Sequence, residues 1–148
     1  MVGESARRVG RPGPYRLVIA DDDEDLRELV RAMVLTGAEN EFVVVAEATN
    51  GLDAVAIASA HRPDLVLLDL SMPGMDGLRV IAEIRERCPL TNILVFSGFD
   101  VADGGPRAMA AGAHAYLIKG APRNELLTAL RSALQGLESG PINAEHTP

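Results

Sequence analysis

At 148 residues the chain is long enough for one domain of ordinary size and not comfortably long enough for two. Its 47% hydrophobic and 24% charged residues give the balance of a folded soluble domain and exclude a disordered or collagen-like chain. Asp and Glu number 21 against 14 Lys and Arg, and the resulting net charge of −7 excludes nucleic-acid binding through general cationic coverage.

Residues 1–14 hold Gly3, Gly10, Pro12, Gly13 and Pro14 among three arginines without apolar periodicity, and read as a flexible extension. Five strand-like runs follow, at Arg16–Ala20, Phe42–Glu47, Asp64–Leu68, Asn92–Phe96 and Ala115–Ile118. Most are short and nearly continuously apolar, as in strands buried on both faces of a parallel sheet. The segments between them read as helices. In the first, Leu26, Leu29, Val30, Met33 and Val34 form one apolar stripe, and Asp23, Glu24 and Asp25 suit its N-terminus. Leu52–His61 is an Ala-rich helix, and Leu78–Arg87 carries Leu78, Ile81 and Ile84 on one side.

After the fourth strand, Gly104, Gly105 and Pro106 disfavour helix, so an extended loop is expected there, with the fourth helix reduced to about Pro106–Ala111. Switching at this place is then expected to alter loop order more than to shift a rigid helix. The last helix carries Leu126, Leu127, Leu130, Leu134 and Leu137, with Pro122 suited to its first position. Residues 138–148 read as a flexible tail or the start of a linker. Strands and helices alternating at this spacing give a doubly wound (βα)5 α/β fold, with a parallel five-stranded sheet.

A single cysteine, Cys88, excludes an internal disulfide and a multi-cysteine zinc site, and reads as a half-buried thiol at a helix end. His61 and His114 lack partners at metal-ligand spacing. No apolar run approaches the ~20 residues of a spanning helix, and no apolar stretch follows Arg7 and Arg8, so no membrane association and a cytoplasmic location are expected.

In doubly wound sheets ligands sit beyond the carboxyl ends of the strands. Asp21, Asp22 and Asp23 follow the first strand, Asp69 the third, Ser97-Gly98 end the fourth and Lys119-Gly120 the fifth. Carboxylates so gathered repel one another unless a cation intervenes, and a hard ion such as Mg2+ suits an open oxygen-rich pocket. Such an ion admits a phosphate, a carboxylate can attack phosphorus, and a hydroxyl and an ammonium can hold the phosphoryl oxygens. Each residue also has a plainer reading: helix capping for Asp21 and Asp22, a turn for Asp69, a solvated charge for Lys119, packing for Tyr116. None of these explains the convergence of four strand ends. Pro73-Gly74 reads as the centre of a type II turn and Asp76 as the cap of the next helix.

The strings VIADDDEDLR, PDLVLLDLSMPGMDGL, ILVFSG and AYLIKG, in this order, resemble the receiver domain of two-component response regulators over about residues 15–137. The resemblance implies a flavodoxin-like sheet of strand order 2-1-3-4-5. It implies that Asp69 accepts a phosphoryl group from a phosphohistidine of a sensor histidine kinase or histidine phosphotransfer protein. Asp21, Asp22, Asp69 and the backbone carbonyl of Ser71 would hold Mg2+. Ser97 and Lys119 would pair with the phosphate, and Ser97 and Tyr116 would form the switch. The face of the fourth helix, fifth strand and fifth helix would meet an effector domain or protein, or a second copy in a homodimer. YLIKGAP looks most like receivers of regulators with a LuxR-type DNA-binding domain.

Many receivers carry a cis proline after the lysine; Gly120 stands here instead, and a less rigidly held Lys119 is expected. Ser71 and Phe99 occupy positions that tune phosphate hydrolysis in the family, and Phe99 is bulky enough to shield the phosphate. No output domain is expected after Leu137, which leaves a stand-alone receiver or a fragment of a longer regulator. Apart from phosphate transfer onto itself and its hydrolysis, no enzyme activity is expected. A Mg2+-dependent phosphatase of haloacid dehalogenase type is the alternative, disfavoured because Asp69-Leu70-Ser71 lacks that group's second Asp. A flavodoxin-like electron carrier fails at the acidic first loop. A degenerate receiver acting as a phosphate-independent binding module ranks low because every key side chain is present.

Overall fold

The computed structural model describes residues 13–37, 41–98 and 101–135. Residues 1–12 of the expected extension, Phe99, Leu137 and the tail 138–148 lie outside the described residues. Five strands alternate with five helices: β1 (Tyr15–Ala20), α1 (Glu24–Gly37), β2 (Phe42–Ala48), α2 (Gly51–His61), β3 (Leu65–Leu68), α3 (Gly77–Arg87), β4 (Asn92–Ser97), α4 (Val101–Ala111), β5 (Ala115–Ile118) and α5 (Arg123–Gln135). All strand pairs are parallel and the sheet order is β2-β1-β3-β4-β5. This is the flavodoxin-like order, with its reversal of direction between β1 and β3.

The central strands are mostly apolar because both faces of the sheet are covered there. Leu17, Ile19, Leu65, Leu67, Leu94, Phe96, Ala115 and Leu117 face one core, shared with α1 and α5. Their neighbours Val18, Ala20, Val66, Leu68, Ile93, Val95 and Tyr116 face a second core, shared with α2, α3 and α4. The period-two alternation of side chains thus divides one apolar run between two interiors, each fully buried leucine or isoleucine stabilising by about 1.5–3 kcal/mol.

The helix starts follow local chemistry. Asp23 Oδ1 accepts from the N–H groups of Asp25 at 3.0 Å and Leu26 at 3.3 Å, capping α1. Asn50 Oδ1 accepts from the Asp53 N–H at 2.8 Å at the start of α2. Asp76 occupies the cap position of α3, but its side chain makes no cap hydrogen bond; only its carbonyl serves, taking the Val80 N–H at 3.0 Å. Pro122 stands one place ahead of the expected one, its carbonyl accepting from Leu126 at 3.1 Å. Gly74 has φ +100°, as the type II turn requires. Cys88 is buried rather than half-buried.

The expected loop over Gly104-Gly105-Pro106 is not formed. α4 runs from Val101 to Ala111 with Pro106 inside it, and both glycines are buried. Tertiary packing against α3 and β5 outweighs the local cost. Gly104 lies so close to Tyr116 that a Cβ would stand 2.5 Å from its hydroxyl oxygen. Gly105 carries no Cβ to meet the ring of Pro106, which relieves part of the clash that discourages helix before proline.

Candidate functional site

The site begins where the ladders run one residue past the strands. Asp21 donates its N–H to the Ala48 carbonyl at 2.9 Å, Asp69 to Ala20 at 2.9 Å and Lys119 to Ser97 at 2.8 Å. Each of these residues is thereby rooted in the sheet, and its side chain leaves at the carboxyl edge.

There the Lys119 ammonium lies 2.8 Å from Asp21 Oδ2 and 3.5 Å from Asp69 Oδ1. Asp21 and Asp69 are buried, Asp22 is exposed, and one oxygen from each of the three lies within 4.8 Å of the others. The other Asp21 oxygen accepts from the Asp23 N–H at 2.9 Å. Both the N–H and the hydroxyl of Ser71 turn to Asp69 Oδ1, each at 3.2 Å. Register places Ser97, fully buried, opposite Ile118 at the end of β4, beside this group. Tyr116, three residues before Lys119, is fully buried on the α4 side of the sheet. The structure therefore brings Asp21, Asp22, Asp69, Ser71 and Lys119 together, with Ser97 at the same edge and Tyr116 just behind it.

Electrostatically the pocket is under tension. Burial pushes the Asp21 carboxyl above its ordinary value; hydrogen bonds from Lys119 and the Asp23 N–H oppose this, and Asp69 adds to it. Burial works against the charge on Lys119, yet the hydrogen bond to Asp21 and the fields of both carboxylates outweigh it and hold the ammonium above the ordinary lysine value. Three carboxylates facing one ammonium leave excess negative charge on hard oxygen donors. That donor set fits Mg2+, whose demand for oxygen ligands and retained waters suits a pocket with one exposed member.

Two contacts escaped the sequence. The Ser71 hydroxyl reaches Asp69, a contact beyond the carbonyl ligand and the hydrolysis-tuning position expected of this residue. Arg27 donates from Nη1 to the Asp21 carbonyl at 2.8 Å and from Nε to Glu47 at 2.7 Å. The signal for the second was Glu47 itself, a charge ending an otherwise apolar strand. His114 is structural: its Nδ1 accepts from the Ile93 N–H at 2.9 Å.

Residues 17–131 match the response regulator receiver domain. The chain belongs to this family. It is 38% identical over 127 residues to the probable transcriptional regulatory protein NarL of Mycobacterium tuberculosis, covering 85% of this chain and 57% of the relative. It is 36% identical over 123 residues to the nitrate/nitrite response regulator protein NarL of Escherichia coli K12, covering 83% and 56%. The receiver thus spans little more than half the length of these relatives. Among solved structures, the signal receiver domain of the M. tuberculosis protein superimposes with a TM-score of 0.76 at 37% identity, covering 85% of this chain and 100% of that one. A LuxR-family response regulator from Aurantimonas gives 0.75 at 30% identity, covering 83% and 86%.

In this receiver the turn after the lysine is built without proline. The Ala121 N–H reaches the Ile118 carbonyl at 3.3 Å, and Gly120, at φ +98°, supplies the left-handed third residue of the turn. Lys119 is held from both ends, by Ser97 at its backbone and by two carboxylates at its ammonium. No cis peptide bond occurs among the described residues. No described helix is long and apolar enough to cross a membrane.

Proposed function

We propose that this receiver takes a phosphoryl group onto Asp69 from the phosphohistidine of a sensor histidine kinase or histidine phosphotransfer protein, and that phosphorylation alters the α4–β5–α5 face. The observation that carries this reading is the meeting of Lys119 with Asp21 and Asp69 at the carboxyl edge of the sheet, inside a cluster of three carboxylates. Asp21, Asp22, Asp69 and the Ser71 carbonyl are the residues that would hold Mg2+. When bound, the ion neutralises the carboxylates and draws a phosphoryl group against Asp69.

A carboxylate oxygen of Asp69 forms the new bond to phosphorus as the phosphorus–nitrogen bond breaks, and the electron pair returns to the departing imidazole. The chain's own contribution is positional and electrostatic. The Lys119 ammonium takes one phosphoryl oxygen and exchanges part of its pairing with Asp69 for that contact. The Ser97 hydroxyl takes another, and its movement towards the phosphate is what Tyr116 would follow. The Ser71 N–H and hydroxyl fix which Asp69 oxygen faces away from the incoming group.

The signal then leaves through α4, β5 and α5 to an effector domain or protein, or to a second copy of the chain. The match to part of a protein named as a probable transcriptional regulatory protein, and the likeness to a structure named as a DNA-binding response regulator, support a DNA-binding effector, reached indirectly with no contact between this domain and nucleic acid. Residues 15–137 form the receiver in this reading, acting in the cytoplasm.

Intact-protein mass after incubation with Mg2+ and acetyl phosphate tests the chemistry, with Asp69→Ala in parallel. One added phosphoryl group on the native chain alone is expected. No addition in the presence of intact donor and bound Mg2+ would leave a phosphate-independent binding module, and repeated consumption of donor without a lasting adduct would point to a phosphatase.

A further inference from the structure

Arg27 lies in the first turns of α1, yet its guanidinium turns back beneath the three-residue loop Asp21–Asp23, leaving 13% of the side chain exposed. Nη1 donates to the Asp21 carbonyl at 2.8 Å and Nε to Glu47 Oε1 at 2.7 Å, while Arg31 pairs with the other Glu47 oxygen. Glu47 precedes Ala48, whose own carbonyl accepts the Asp21 N–H at 2.9 Å. The last two residues of β2 therefore grip Asp21 from both sides, once directly and once through Arg27. The carbonyl that Arg27 holds belongs to the peptide joining Asp21 to Asp22, so this contact sets the direction in which both carboxylates leave the backbone.

The pairing with Glu47 matters for a second reason. A guanidinium this close to a cation pocket would repel the ion if its charge were uncompensated. Glu47, shared with Arg31, offsets part of that charge, and the planar fork lets one side chain serve the carbonyl and the carboxylate together.

We propose that Arg27 is a positioning residue of the cation pocket, holding the Asp21–Asp22 peptide in its ligating orientation, with Glu47 as the group that aims it. This rests on the receiver reading of the pocket as a Mg2+ site. Groups that orient metal ligands commonly contribute on the order of 10-fold or more to affinity when removed.

The sign of one measurement separates this role from the alternatives. Removing a positive charge beside the pocket would by charge alone tighten Mg2+ binding; losing the hold on the peptide would weaken it. Titration of the native chain, Arg27→Met and Arg27→Lys with Mg2+ by calorimetry, below the melting temperature of each, reads the difference directly. The expected result is a loss on the order of 10-fold for Arg27→Met and a smaller loss for Arg27→Lys, whose single ammonium can reach the carbonyl but cannot fork. Should Arg27→Met fail to fold, the lysine variant carries the test alone. Unchanged or tighter binding in the folded variants overturns the proposal, and a fall in melting temperature without change in affinity does so as well. Absence of Mg2+ binding by the native chain overturns the receiver reading and this proposal together; native binding with unaltered variants overturns this proposal only.

Discussion

The hydroxyl of Tyr116 occupies the space that a side chain on Gly104 would need, since a Cβ there would lie 2.5 Å from the hydroxyl oxygen and 3.2 Å from the ring carbon that bears it. A glycine that reads as a helix breaker is thus the residue that lets β5 present a fully buried tyrosine to α4.

Gly104→Ala is therefore expected to destabilise despite the gain of about 1 kcal/mol in helix propensity, because overpacking costs about 1–3 kcal/mol. In a Tyr116→Phe background the closest clash is gone and the same substitution should be near neutral. Urea unfolding of the four proteins in the double-mutant cycle measures the coupling, expected at about 1–2 kcal/mol. A coupling near zero would mean that the tyrosine and the glycine do not constrain each other.

Mg2+ and pH should act together on stability. The Asp21 carboxyl sits above its ordinary value, mainly through burial. Its contribution to stability is therefore fullest below the ordinary carboxylate range and is lost as the pH rises through the raised value. Binding of Mg2+ takes the ionised form and reverses the penalty. The melting temperature should rise with Mg2+ at about pH 7.5 and respond little at about pH 4.5, where protons compete for the same oxygens. An equal rise at both pH values would argue for binding elsewhere.

Lys119→Gln removes the cation paired with Asp21 and Asp69. Without Mg2+ it should cost about 1–2 kcal/mol, since two buried carboxylates then face each other with less compensation. Saturating Mg2+ should recover most of that loss, while phosphorylation of Asp69 by acetyl phosphate stays slow. The two effects are separable by thermal melting and by intact mass over time.

Gly120→Ala tests the turn. Open space surrounds the position, so no contact is violated; the cost comes from φ +98°, which a Cβ tolerates poorly. A destabilisation of about 1 kcal/mol is expected, and a smaller one for Gly120→Asn, because asparagine enters the left-handed region more readily. Chemical denaturation of both variants decides the order.

Much of this was legible in the chain itself. Short apolar runs bounded by acidic or glycine-bearing segments placed all five strands to within about two residues, because burial on both sheet faces leaves no polar alternation to misread. The strand ends brought Asp21, Asp69, Ser97 and Lys119 to one edge by topology alone. What stayed hidden depends on distance across the fold. Gly104 and Pro106 obey local rules that predict a loop, and only the approach of Tyr116 on another element shows why a helix forms there. Arg27 and Glu47 lie 20 residues apart on a helix and a strand, and although Glu47 stands out in its apolar strand, nothing local identifies Arg27 as its partner under Asp21. The Ser71 hydroxyl depends on the turn of a loop that no periodicity describes.

The sheet separates two interiors, and Tyr116 belongs only to the one beneath α2, α3 and α4. The packing of that ring therefore bears directly on α4 and reaches α5 only through β5, since Leu126, Leu130 and Val30 pack on the opposite face.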